Sequence, residues 1–194
     1  PVSRDSEAPL RKKDIMSRHN LPPAPTSGAW REGDPVAFRK FANLGAHRLE
    51  NGEILPSVTL AYETWGELDE ASSNAVLILH ALTGDAHVCG EAAPGQPTPG
   101  WWEQIVGPGR IIDTDRYYVV AANVLGGCQG STGPASPAPD GAPWGSRFPV
   151  ISTRDQVYAE SRLADLLGID LADFCRQVTV NTEAAYATRW GGDA

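Results

Sequence analysis

Two short runs constrain this chain more than anything else in it. Ala75-Val76-Leu77-Ile78-Leu79-His80 and Tyr117-Tyr118-Val119-Val120-Ala121-Ala122-Asn123 are continuously apolar, and each ends on a polar residue. A half-exposed strand alternates and an amphipathic helix repeats every three or four positions. A short unbroken run instead suits a strand covered on both faces, as in a parallel sheet. Between the runs, Trp101-Trp102-Glu103-Gln104-Ile105-Val106 reads as a short helix. The pattern is β-α-β, which predicts an α/β sheet with a right-handed crossover.

Upstream, Asn51-Gly52 is a strong hairpin signal. It joins a strand expected over Ala46 to Glu50 to a second over Ile54 to Trp65, where Val58, Leu60 and Tyr62 alternate with Thr59, Ala61 and Glu63. That alternation predicts a strand with unlike faces. Gly66 to Asn74 reads as a polar loop. Downstream, residues 125–149 hold Gly126-Gly127, Gly130, Gly133 and five prolines, a long loop of the kind that usually carries function. A helix follows. Ser152 or Thr153 caps it, Ser152 and Asp155 have capping-box spacing, and Gly168 closes it. Its expected apolar face is Val157, Leu163, Leu166 and Leu167. Leu171, Phe174, Cys175 and Val178 have the spacing of one more short amphipathic helix. Three segments result: a disordered, basic, Pro-rich arm over 1–37, a partial α/β domain over 38–170, and a tail over 171–194.

Charge narrows the partners. The 194 residues carry a net −8, yet residues 1–40 hold eight of the 16 Lys+Arg and five of the 24 Asp+Glu. The remainder carries −11, and such an acidic body argues against nucleic acid. No run approaches the roughly 18 apolar residues of a membrane helix. The polar N-terminus shows no secretory h-region. The three cysteines form no CxxC pair, so the expected setting is the reducing cytoplasm. Pro1 opens the chain and Met16 is its one methionine, so residues 1–15 either follow a removed initiator or precede the true start.

The first run delivers the chain into His80-Ala81-Leu82-Thr83-Gly84. At the carboxyl end of a parallel strand, N–H groups of a Gly-containing turn can point into a crevice, and one of them can cradle the oxyanion of acyl transfer. The plain alternative is an ordinary strand-to-loop turn. His80, His87 and Cys89 have no standard zinc spacing. His19 and His47 have no assignable partner. Gly126 to Pro134 lacks the lysine of a phosphate-binding P-loop, and Gln129 breaks G-x-S-x-G at Ser131. Cys128 could attack a substrate only if something lowered its pKa. Asp113, Asp115 and Arg116 read as turn and surface charges.

Five segments together carry a resemblance. They are Val58-Thr59-Leu60-Ala61-Tyr62-Glu63-Thr64-Trp65-Gly66, Leu79-His80-Ala81-Leu82-Thr83-Gly84-Asp85, Pro99-Gly100-Trp101-Trp102, the stretch Ala122 to Pro134, and Trp144-Gly145-Ser146-Arg147-Phe148-Pro149. In this order, over about residues 49–169, they resemble the N-terminal portion of homoserine O-acetyltransferases of the actinobacterial type. The resemblance implies the front part of an α/β-hydrolase-fold sheet, a β-hairpin and then βαβ. It implies acetyl transfer from acetyl-CoA to L-homoserine, toward methionine, through an acyl-serine. Acetyl-CoA is then a co-substrate, with no bound cofactor and no metal. The N–H of Leu82 becomes an oxyanion donor, and Ala81, Thr83, Gly84 and Asn123 become candidate substrate-binding residues.

The family's Gly-Gly-Ser-Met-Gly-Gly elbow does not follow Gly168-Ile169-Asp170. The triad serine, acid and base, and the lid through which the family dimerises, are expected to be missing, and the chain alone is expected to be inactive. A frameshift, an early stop or a misread gene would each give such a tail. Two alternatives remain: a non-catalytic binding fragment, and an acyl-hydrolase using Ser131 or Cys128 with His80 or His87. An open parallel edge further predicts marginal stability or aggregation.

Overall fold

The computed structural model describes residues 28–170. Strands β1 (Lys40–Arg48) and β2 (Ile54–Trp65) form an antiparallel hairpin. Its turn is closed by Gly52 N–H donating to Leu49 O at 2.9 Å and by Leu49 N–H donating to Glu53 O at 2.8 Å, with Gly52 at φ 90°. A left-handed φ of this kind is strained for any residue with a Cβ. β2 keeps the expected bounds, but β1 begins at Lys40 rather than Ala46. The cause is a register shift around Gly45, where φ is 67° and the Asn43 side chain accepts the Gly45 N–H. A bulge interrupts alternation and hides a strand from a period-two reading.

Strands β3 (Ala75–Ile78), β4 (Val106–Gly107), β5 (Ile112–Asp113) and β6 (Tyr118–Ala122) follow. The main sheet runs β1-β2-β6-β3, and β4 and β5 pair separately. β3 and β6 are parallel neighbours, as their unbroken apolar runs require, and β2 pairs antiparallel to β6. The crossover between them is not helical. Trp101 to Ile105 is a chain of turns, with Ile105 and Val106 N–H both donating to Trp102 O, and it leads into β4. Six residues are too few to offset helix nucleation, and Gly107 and Gly109 follow with positive φ.

Helix α1 (Thr153–Leu166) has the full capping box: Ser152 Oγ accepts from Asp155 N–H while the Asp155 carboxylate accepts from Ser152 N–H. That carboxylate also accepts the Glu50 N–H at 2.8 Å, which staples the helix start to the hairpin turn. This contact sets the helix rotation. Leu163 is buried and Leu167 packs on the core, but Val157 and Leu166 face outward, and Asp155, Ala159, Glu160 and Ala164 complete the buried face instead.

Both faces of β2 and β6 are covered. On one, Leu44, Leu55, Val58, Leu60, Ala122 and Leu125 pack against Ala159 and Leu163 of α1. On the other, Val119 and Ala121 pack with Ala86, Val88 and Val106. Ala61 and Glu63, on the face opposite Val58 and Leu60, are therefore buried as well. β3 departs the other way: it is the outer strand of the described sheet, only Ile78 is buried, and Leu79 is 64% exposed. Ahead of β1, Trp30 N–H donates to Cys128 O and its ring packs on Phe41; residues 1–27 of the expected arm lie outside the described residues. The amphipathic pattern over 171–178 lies outside the described residues. No helix among the described residues is long and apolar enough to cross a membrane.

Candidate functional site

The carboxyl ends of β3 and β6 lie side by side because the strands are parallel, so the segments starting at Leu79 and Asn123 emerge together. Beyond β3 the chain makes a turn in which Gly84 N–H donates to Ala81 O at 2.8 Å. The two inner residues, Leu82 and Thr83, make no main-chain hydrogen bond among the described residues, and the Leu82 side chain is fully exposed. A cavity of about 310 Å³ opens beside the turn, lined by Ala81, Thr83, Gly84, Asp85, Thr98 and Trp101 among others. The indole N–H of Trp101 donates to Asp85 O at 2.9 Å and fixes one wall. Three of the four candidate substrate-binding residues thus share one cavity.

The fourth, Asn123, is used differently. Its Oδ1 accepts the Ala86 N–H at 2.9 Å and its Nδ2 donates to Gln129 O at 2.8 Å. Both ends of the amide are engaged with main chain, so Asn123 ties the post-β3 loop to the glycine-rich loop. Ser131 is engaged too: its buried hydroxyl donates to Asn123 O at 2.5 Å and accepts from Ala61 N–H at 2.9 Å, with no imidazole to draw off its proton. Cys128 is exposed and lines cavities of about 450 and 630 Å³ with Ala135 and Pro137, and among the described residues no imidazole hydrogen-bonds to it. Among the described residues, neither has the adjacent base that nucleophilic attack needs.

His80 bridges the two strand ends. Its Nε2 lies 3.2 Å from Val124 N and its Nδ1 lies 2.7 Å from Ala81 O. His87 and Cys89 point elsewhere, and among the described residues no three His, Cys, Asp or Glu side chains gather to hold a metal.

Sequence reasoning missed a buried polar knot beneath the cavity. The Glu63 carboxylate, 2% exposed, meets His87 Nδ1 at 3.1 Å and the Gln96 amide on its other oxygen. His87 Nε2 faces Glu91 O at 3.2 Å, and Phe38 stacks on the ring with planes 4° apart. A carbonyl only accepts, so Nε2 carries a proton and the Nδ1–Glu63 contact holds one more between ring and carboxyl. Burial pushes the Glu63 carboxyl above its ordinary range, while the hydrogen bonds from His87 and Gln96 pull it back. Arg39, also buried, donates to Gly95 O at 3.0 Å and to Gln129 O and Oε1. Apart from the local contact between His87 and Glu91, these partners lie 24 to 90 residues apart, so no local pattern marks them.

No family model matches this chain. It is 63% identical over 158 residues to a homoserine O-acetyltransferase of Clavibacter michiganensis, covering 81% of this chain and 41% of that protein. It is 63% identical over 155 residues to one of Thermobifida fusca, covering 79% and 41%. Among solved structures, esterase E22 matches with a TM-score of 0.62 at 36% identity, over 68% of this chain and 38% of that one. The homoserine O-acetyltransferase of Bacillus anthracis matches with 0.61 at 30% identity, over 68% and 37%. The chain spans about two fifths of the length of the curated relatives it matches. Its sheet is the corresponding part of an α/β-hydrolase fold.

Proposed function

We propose that this chain, similar to homoserine O-acetyltransferases over about two fifths of their length, carries the oxyanion side of a site that moves an acetyl group from acetyl-CoA to the hydroxyl of L-homoserine. One observation carries the reading: at the carboxyl end of a parallel strand, a hydrogen-bonded turn leaves the Leu82 N–H without a main-chain partner among the described residues, and its neighbours Ala81, Thr83 and Gly84 line a cavity. In acyl transfer a serine attacks the thioester carbonyl, and negative charge collects on its oxygen. A preset N–H near that oxygen stabilises this state more than the starting carbonyl. CoA then leaves, and the homoserine hydroxyl attacks the acyl-serine through a second oxyanion in the same cradle. Ala81, Thr83 and Gly84 shape the cavity wall, and Asn123 holds the loops that border it. The attacking serine, its base and the acid have no counterpart among the described residues, so this part acts jointly with the rest of the relatives' length. Acetyl-CoA is consumed rather than held as a cofactor, and its supply places the reaction in the cytoplasm.

The test joins this chain to the remaining length of the Clavibacter michiganensis relative. The unjoined chain, given acetyl-CoA and homoserine, is expected to release free thiol at the background rate, and the fusion to turn over. Leu82→Pro in the fusion removes one N–H at a turn position that tolerates proline. It is expected to lower kcat by about 10²–10³-fold, the usual effect of losing one oxyanion donor. A folded fusion whose kcat ignores Leu82→Pro overturns the assignment. The likeness to esterase E22 favours a second reading, in which water replaces homoserine. Acetyl-ester hydrolysis that outruns acetyl transfer in the same fusion selects it.

A further inference from the structure

We propose that His80 is the positioning residue of the oxyanion turn: held as the neutral Nδ1–H tautomer, its ring fixes the plane of the Ala81–Leu82 peptide and so the direction of the Leu82 N–H. The assignment follows from what each ring nitrogen faces. Val124 N–H can only donate, so Nε2, 3.2 Å away, is its acceptor and carries no proton. The proton of the neutral ring then sits on Nδ1, where it donates to Ala81 O at 2.7 Å. The same carbonyl receives the Gly84 N–H at 2.8 Å. Two donors from different directions thus converge on one oxygen.

Ala81 C=O and Leu82 N–H belong to one planar peptide unit and point opposite ways. Fixing the carbonyl therefore aims the N–H. The two bonds also polarise that peptide and strengthen its free end as a donor. Val124 lies two residues beyond the end of β6, so the ring links the segment leaving one parallel strand to the turn beyond the other. With both nitrogens occupied, His80 is neither a metal ligand nor a general base. Its importance to catalysis rests on the acyl-transfer reading; its tautomer and its two bonds do not.

The experiment uses the chain as it is, labelled with ¹⁵N-histidine. Long-range ¹H–¹⁵N spectra at neutral pH are expected to show a proton on Nδ1 of His80 and none on Nε2; an Nε2–H ring or an imidazolium overturns the proposal. Two variants then separate the bonds. His80→Asn places an amide where Nδ1 stood and keeps a donor for Ala81 O, but loses the acceptor for Val124. His80→Gln keeps an acceptor near the Nε2 position and loses the donor. The Val124 amide is expected to exchange about tenfold faster in His80→Asn and near the native rate in His80→Gln. The Leu82 amide resonance is expected to move in His80→Gln and to hold in His80→Asn. Variants that behave alike at both amides overturn the proposal. A fusion enzyme without turnover counts against the proposed function, whereas the tautomer and exchange results decide the His80 assignment by themselves.

Discussion

Leu60 on β2 and Leu82 beyond β3 are the same residue type in opposite circumstances. Leu60 is fully enclosed between the hairpin and α1, while Leu82 is fully exposed in the turn beyond β3. The contrast extends to their surroundings. Around Leu60, hairpin, helix and loop close on one another into one core, with Val157 and Leu166 left on the outer side of α1. Around Leu82, β3 is half covered and Leu79 beside it faces outward. The closed half is where stability is concentrated. The open half holds main-chain groups ready for something else, and a turn that binds an oxyanion must keep its donor unspent.

The contrast is sharpest at Leu60→Ala, which is expected to cost about 3–5 kcal/mol in urea unfolding because it leaves a cavity in a packed core. A loss under 1 kcal/mol there breaks the comparison. Glu160 gives the next effect. It lies on the buried face of α1, and burial pushes its carboxyl up to about 7. The unfolded chain ionises it near 4.5, so the folded state favours the neutral form. Its stability contribution is complete below pH 4.5 and is lost as pH rises to about 7. Glu160→Gln is therefore expected to stabilise the protein above pH 7 by about 2–3 kcal/mol, with no gain at pH 4.5, measured by unfolding at both. A gain that does not depend on pH contradicts this account of the helix. The smallest effect is Leu82→Ser, expected within about 0.5 kcal/mol of the parent, since nothing packs on that side chain. A loss near that of Leu60→Ala means that Leu82 is covered after all.

The parts that could be read from the sequence were those whose signals are local. The unbroken apolar runs marked two parallel strands, and β3 and β6 do pair in parallel, although only β6 is covered on both faces. Ser152 and Asp155 make the capping box that their spacing promises. Asn51-Gly52 turns the hairpin. The failures share the opposite cause. β1 was misjudged because Gly45 puts its two ends out of phase. The outward faces of Val157 and Leu166 follow from Asp155 gripping Glu50, a contact spanning 105 residues. The alternation along β2 showed two unlike faces but not that Glu63 would be buried, because its partners His87 and Gln96 come from a distant loop. At the site, the pentapeptide after β3 marked Leu82 and its neighbours, but nothing in it showed that Asn123 and Ser131 would be occupied by main chain.

The wide separation in sequence of β3 and β6 bears on the order in which the molecule assembles. β1 and β2 are joined by a turn of five residues, 49–53, whereas 39 residues, 79–117, separate the end of β3 from the start of β6. Closing the longer loop costs about 2 kcal/mol more chain entropy than closing the shorter one. A hairpin zips within microseconds, while distant strands must wait for a diffusive search. Assembly therefore starts at Asn51-Gly52 and reaches β3 late, so the Ala81–Gly84 turn is among the last pieces to take shape.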